Sequence, residues 1–347
     1  MKEAATETRR HRDPALRDSE TRWLVFRGSQ PVGRSGTGCR RKNREVVMST
    51  FGLSSHGVVL AVSLLLSTGA GAQTSPDLGL LPQAPGSDAR GVPIEALKAR
   101  AATLAAGFAP HVHANARGER MPYRLFTPGT LEPGRRYPLV VFLHGAGGSG
   151  TDNVKQLEGA NMFGALVWTL PENQQKHPAF VLAPQSDVNW PCVIIDPANP
   201  PRRPADLRFC PPEQLGTGAR LAFEIIDHLI ATLPIDAARV YVTGHSMGGA
   251  GAWHMIAHRP RFFAAAVPVC GHPLPETANA LKDVALWNFH GEADEVEPVA
   301  TSRVMVDALR KAGGSPRHTE YAGVGHNVFM WAYTEPALVE WVFAQRR

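Results

Sequence analysis

The 347-residue sequence is short of cysteine, with four, and short of charge, with 19% Asp, Glu, Lys and Arg against 44% hydrophobic residues. Four cysteines exclude a disulfide-dense miniprotein, and their spacing matches no zinc site, so no metal is implied. The low charge excludes a chain kept wholly unfolded by its own repulsion and leaves ample material for a core. Long apolar runs are also missing. The most hydrophobic stretch, Val58 to Leu66, falls well short of the roughly 18–20 residues needed to cross a bilayer. Collagen-like composition, coiled-coil heptads and internal repeats of solenoid or propeller length are absent too. What remains is an ordinary globular protein.

The net charge of +5 invites a nucleic-acid or membrane-surface reading, but its distribution argues otherwise. Residues 1–47 hold 12 Lys and Arg against 6 Asp and Glu, a net of +6, and residues 48–347 hold 24 against 25, a net of −1. No aromatic residues alternate with the basic ones as a nucleic-acid arm would require. From Met48 the chain runs through the apolar Val58–Leu66 to Ala70-Gly71-Ala72, small residues placed as a signal peptidase needs them. The expectation is a leader over 1–47, non-native or disordered, a signal peptide over 48–72 and a mature chain from Gln73. Secretion or export to a periplasm follows, with no stable membrane anchor and no nucleic-acid partner. Residues 73–110 read as a linker and N-terminal segment, with a helix over Pro93 to Phe108, and 111–347 as the catalytic domain.

Within that domain short apolar runs recur at Pro122 to Thr127, Leu139 to Leu143, Phe180 to Ala183, Val240 to Thr243, Ala264 to Val269 and Ala285 to Phe289. Near-continuous apolar strands suit a parallel sheet covered on both faces. Amphipathic helical stretches at Glu213 to Leu233, Ser302 to Ala312 and Pro336 to Phe343 separate or follow them. This alternation predicts an α/β fold with a doubly wound, mostly parallel sheet.

Gly244-His245-Ser246-Met247-Gly248 is a G-x-S-x-G sequence that directly follows one of these strands and precedes the helical stretch Gly249 to His258. A strand–turn–helix elbow of this kind lifts a serine hydroxyl above the sheet edge, and its glycines are needed where a Cβ would clash. His144-Gly145-Ala146-Gly147-Gly148, after the strand ending at Leu143, lets main-chain N–H groups approach a developing oxyanion. A phosphate loop is excluded there, because no Gly-Lys-Ser/Thr follows. The Ala146 and Met247 N–H groups are the expected donors. A serine nucleophile needs a base and the base an orienting acid. Asp294 in His290-Gly-Glu-Ala-Asp294 and His326 in Gly323-Val-Gly-His326 complete the order Ser, acid, His, with Glu292, Glu295 and Glu297 as alternative acids. His144, His290 and His318 read as structural.

Residues from about 121 to 346 resemble the α/β-hydrolase superfamily, and most of all its secreted esterases and prolyl-oligopeptidase-like predicted peptidases. The resemblance rests on Tyr137 to Gly145, Gly244 to Gly249, His290 to Asp294 and Gly323 to His326. It implies a Ser246–Asp294–His326 triad, the same three residues as above, and no cofactor. It leaves open ester or peptide substrates and a silent binding protein on the same fold; with no propeller before the domain, small-molecule or carbohydrate-linked esters are expected. The segment Ser186 to Gly218, with seven prolines, Trp190 and Arg202-Arg203, is expected near the site as a wall or lid. Trp190 is the candidate for stacking on substrate, Cys192 and Cys210 for a local disulfide, and Cys270 for a buried small apolar residue.

Overall fold

The computed structural model describes residues 94–199, 201 and 206–347. The expected leader, signal peptide and most of the linker, with Arg202 and Arg203, lie outside the described residues. The strands are β1 (Phe108–Ala114), β2 (Arg120–Phe126), β3 (Tyr137–Leu143), β4 (Phe180–Pro184), β5 (Val193–Ile194), β6 (Arg208–Phe209), β7 (Ile235–His245), β8 (Ala265–Val269), β9 (Trp287–Gly291) and β10 (Arg317–Tyr321). The helices are α1 (Ile94–Ala105), α2 (Asn161–Leu166), α3 (Pro171–Lys176), α4 (Thr217–Thr232), α5 (Met247–His258), α6 (Ala278–Leu281), α7 (Val299–Lys311), α8 (Phe329–Ala332) and α9 (Leu338–Phe343).

Eight strands form one sheet in the order β1-β2-β4-β3-β7-β8-β9-β10. The β1–β2 and β2–β4 pairs are antiparallel and the rest parallel. This is the doubly wound, mostly parallel sheet the apolar runs predict. Every residue of β3 is buried, and its side chains alternate between two cores. Leu139, Val141 and Leu143 join Leu221, Ile225 and Leu229 of α4, whereas Val140 and Phe142 join Phe163 of α2 and Leu338 of α9. Each such side chain contributes about 1.5–3 kcal/mol relative to exposure. The sheet centre is therefore its most strongly held part, and β3 and β7 at that centre carry the two loops that matter for chemistry.

Two boundaries and one short ribbon differ from the sequence reading. The first helix ends at Ala105, short of Phe108, and β1 begins at Phe108, so the sheet starts before residue 111. β1 is an edge strand in which Phe108 alone is buried and the other six residues are exposed or half-exposed, so burial imposes no apolar run on it. The ribbon of β5 and β6 inside the Pro-rich segment is too short to leave a pattern at all. The Cys192–Cys210 disulfide closes that ribbon, as the sequence suggested. No helix among the described residues is long and apolar enough to cross a membrane.

Candidate active site

At the carboxyl end of β7 the chain turns into α5 through Ser246, which has φ 54° and ψ −121°. A positive φ is costly for any residue with a Cβ, of order 1–3 kcal/mol, and persists only where the surroundings enforce it. The surroundings are tight backbone. An ideal Cβ on Gly248 would lie 2.0 Å from the Leu143 carbonyl oxygen and 2.8 Å from that of His144; one on Gly244 would lie 2.4 Å from the Gly248 carbonyl oxygen. The outer glycines of the motif are thus required because the turn at Ser246 and the end of β3 pack main chain against main chain. Gly248→Ala is expected to destabilise the fold by about 3 kcal/mol, as overpacking against immovable backbone does. A thermal unfolding midpoint within a degree of the unsubstituted protein would contradict that packing.

The Ser246 hydroxyl lies 2.8 Å from His326 Nε2, and His326 Nδ1 lies 2.8 Å from Asp294 Oδ2. Burial by itself would raise the Asp294 pKa, but hydrogen bonds from His290 and His326 and the Glu297 N–H hold it well below the usual carboxylate range. The Val296 and Glu297 N–H groups both donate to its Oδ1 at 2.9 Å. Asp294 is therefore an anion, so His326 Nδ1 carries the proton and donates it, and Nε2 is left to accept from Ser246. The structure joins all three expected residues, drawn from the ends of β7, β9 and β10, in one hydrogen-bonded chain.

The competing acids are placed elsewhere. Glu292 is exposed and accepts from the Gly323 N–H, Glu295 is exposed, and buried Glu297 turns its carboxylate to His272. The neighbouring imidazoles are equally distinct. His144 and His290 are fully buried, His245 nearly so, and of these four histidines His326 alone has a side chain open to solvent, at 25%. Burial pushes the His144 and His245 imidazoles down to about 4 and about 3, so neither adds positive charge beside the serine. His290 is clamped between the Ser302 hydroxyl and the Glu297 carbonyl, and His318 meets Asn288 at 3.0 Å. All three histidines read as structural are held as such.

The Ala146 and Met247 N–H groups flank Ser246 from the ends of β3 and α5, and neither has a hydrogen-bond partner among the described residues. The loop carrying Ala146 is braced from beneath. His144 Nδ1–H donates to the Gly145 carbonyl at 2.8 Å, its Nε2 accepts from the Ser186 N–H at 3.0 Å, and Asn161 Oδ1 accepts from the Gly145 N–H at 2.9 Å. Trp190 belongs to this brace. It is fully buried, and its indole N–H donates to the His144 carbonyl at 2.9 Å. Stacking of Trp190 on substrate is therefore corrected: the ring is committed to the floor of the loop and presents no face to a ligand.

Cys270 follows β8, is fully buried as expected, and takes φ 39°. Its thiol, with a pKa pushed well up by burial, donates weakly to the His326 carbonyl. Cys270, Asp294 and His326 form the one cluster of possible metal-ligating atoms among the described residues. The His326 and Asp294 atoms in it are already hydrogen-bonded to each other. Sequence reasoning missed His245, wedged between Phe142 and Phe329, and missed His272 altogether.

No curated protein matches the chain by sequence. Among solved structures, a thermostable esterase superposes with a TM-score of 0.64 at 38% identity over 71% of this chain; the match spans 64% of that protein's length. A ferulic acid esterase superposes with a TM-score of 0.50 at 15% identity, over 68% of this chain and 98% of its own, a likeness of fold alone. The fold is that of the α/β-hydrolases, as the resemblance in the sequence implies. Residues 114–331 match the family model described as "Putative esterase", and the chain belongs to that esterase family.

Proposed function

We propose that the protein is a serine hydrolase that cleaves carboxylic esters through an acyl-enzyme intermediate. The observation that carries this is the unbroken chain from Ser246 through His326 to Asp294, with the serine lifted out of the sheet at a strained turn. Ser246 Oγ attacks the acyl carbon as His326 Nε2 takes its proton, and Asp294 stabilises the imidazolium that results. The Ala146 and Met247 N–H groups receive the tetrahedral oxyanion, each such donor contributing roughly 3–4 kcal/mol to the transition state. His326 then protonates the departing alcohol oxygen, and water, deprotonated by the same imidazole, resolves the acyl-enzyme. The substrate is a small-molecule or carbohydrate-linked ester.

Export to an oxidising compartment is supported by the Cys192–Cys210 disulfide, since such bonds persist outside the reducing cytosol. The experiment that tests the reading has two parts. A fluorophosphonate is expected to label Ser246, located by peptide mass, and kcat/KM is expected to favour an ester over the matching amide. Failure to label at Ser246 would leave a binding protein on this fold, and preference for the amide would make the enzyme a peptidase.

A further inference from the structure

Beside the triad lies a second polar pair that the chemistry above does not use. His272 follows β8 by three residues, with its side chain 21% exposed, and its Nδ1 lies 3.2 Å from Oε2 of buried Glu297. The Glu297 backbone in turn donates to Asp294, so the pair is pinned to the loop of the triad acid. On its other side the His272 loop rests on the nucleophile helix: an ideal Cβ on Gly271 would lie 2.2 Å from the Gly249 carbonyl carbon. Phe209, at the end of β6 in the disulfide-closed ribbon, is half-buried and packs its ring 5.1 Å from His272 and 4.7 Å from His254. His254 is buried, its Nε2 has no hydrogen-bond partner, and burial pushes its pKa down to about 4. The ribbon, the β8 loop and the acid loop therefore meet at one place.

The chemistry of that place is specific. Nδ1 of His272 is taken up by Glu297, and Nε2 makes no hydrogen bond to a described residue, which leaves that edge of the ring for a ligand. An aromatic ring beside an imidazole nitrogen that has no protein partner among the described residues offers an apolar surface and a hydrogen-bonding partner for a hydroxyl. Its position selects a side of the scissile bond. Along the sheet the Ala146 loop follows β3, Ser246 follows β7, His272 follows β8, and Asp294 and His326 follow β9 and β10. The oxyanion donor and His272 thus stand on opposite sides of the nucleophile. The alcohol oxygen leaves with a proton from His326, so the leaving group lies on the His326 side, which is the His272 side.

We infer that His272 and Phe209 form a subsite for the leaving alcohol, and that this alcohol is a hydroxyl-bearing ring, a sugar. The inference rests on the ester-hydrolase reading and narrows it. His272 Nε2 hydrogen-bonds a ring hydroxyl while Phe209 covers a ring face.

The test compares a mono-acetylated methyl glycoside with ethyl acetate, which share an acyl group and differ in the alcohol. The unsubstituted enzyme is expected to prefer the glycoside ester. In His272→Ala the ratio of the two kcat/KM values is expected to fall about tenfold, the loss of one hydrogen bond. His272→Gln, which keeps a hydrogen-bonding side chain, is expected to hold most of the ratio, and Phe209→Ala to lower it through KM. A ratio unchanged in His272→Ala, or an equal fall on both esters, overturns the subsite, as does an unsubstituted enzyme with no preference. Should His272→Ala not fold, the same ratio in His272→Gln and Phe209→Ala decides the matter, and two unchanged ratios overturn it. Turnover of ethyl acetate together with any of these outcomes leaves the esterase reading standing. Turnover of neither ester with no label on Ser246 removes that reading and the subsite with it.

Discussion

Ser246→Ala is expected to lower kcat on any ester the enzyme accepts by about 10⁵–10⁶-fold, leaving a residual rate above that of water. The size follows from what is removed. In the proposed mechanism the Ser246 hydroxyl is the group that forms the covalent bond to substrate, and His326, hydrogen-bonded to Asp294, takes its proton. The residue remaining at 246 still holds φ near 54° under the same backbone packing, so the unfolding temperature is expected to shift by only a few degrees. The Ala146 and Met247 N–H groups, the proposed oxyanion donors, are untouched, so activity is expected to fall to a floor and not to zero. A variant that loses less than about tenfold while staying folded would mean that Ser246 does not attack substrate, and a water-based route would take its place.

How much of this was legible in the sequence depends on whether a residue's role is set by local pattern or by neighbours far along the chain. β3 and β4 are unmistakable because every position is buried and therefore apolar. β1 is not, because only one of its seven residues is buried, so it lacks the continuous apolar run that marks the inner strands. Gly244 and Gly248 were legible because the turn they permit lies within five residues. The choice of Asp294 among four acidic residues was harder. What singles it out is the pair of N–H donors from Val296 and Glu297 and its burial, neither of which leaves a mark in composition. Trp190 shows the opposite failure. An aromatic residue in a Pro-rich loop looks the same in sequence whether its ring faces a ligand or the underside of the loop that begins at His144. His272 was invisible for the same reason, since its partners Glu297 and Phe209 lie 25 and 63 residues away.

Asp294→Asn is expected to lower kcat by about 10⁴-fold while preserving the shape of the site. The carboxylate accepts at both oxygens, from two main-chain N–H groups at Oδ1 and from His326 at Oδ2. An amide can satisfy the Oδ1 donors with its oxygen only by turning its NH₂ toward His326. Nδ1 must then accept, the imidazole proton moves to Nε2, and the nitrogen facing Ser246 becomes a donor where the reaction needs an acceptor. Neighbouring carboxylates do not rescue it, because Glu297 faces His272 and Glu292 faces the Gly323 N–H. Stability should change with pH in a defined direction. The folded-state pKa of Asp294 lies below its unfolded value, so its stabilising contribution is present above the unfolded carboxylate pKa of about 4 and is lost as pH falls through the folded value. Acid unfolding of the Asn variant should therefore lack that part of the slope, while its kcat stays depressed at neutral pH. Both are read from unfolding curves between about pH 2 and 7 and a pH–rate profile. A kcat within tenfold of the unsubstituted enzyme would mean that another group orients His326.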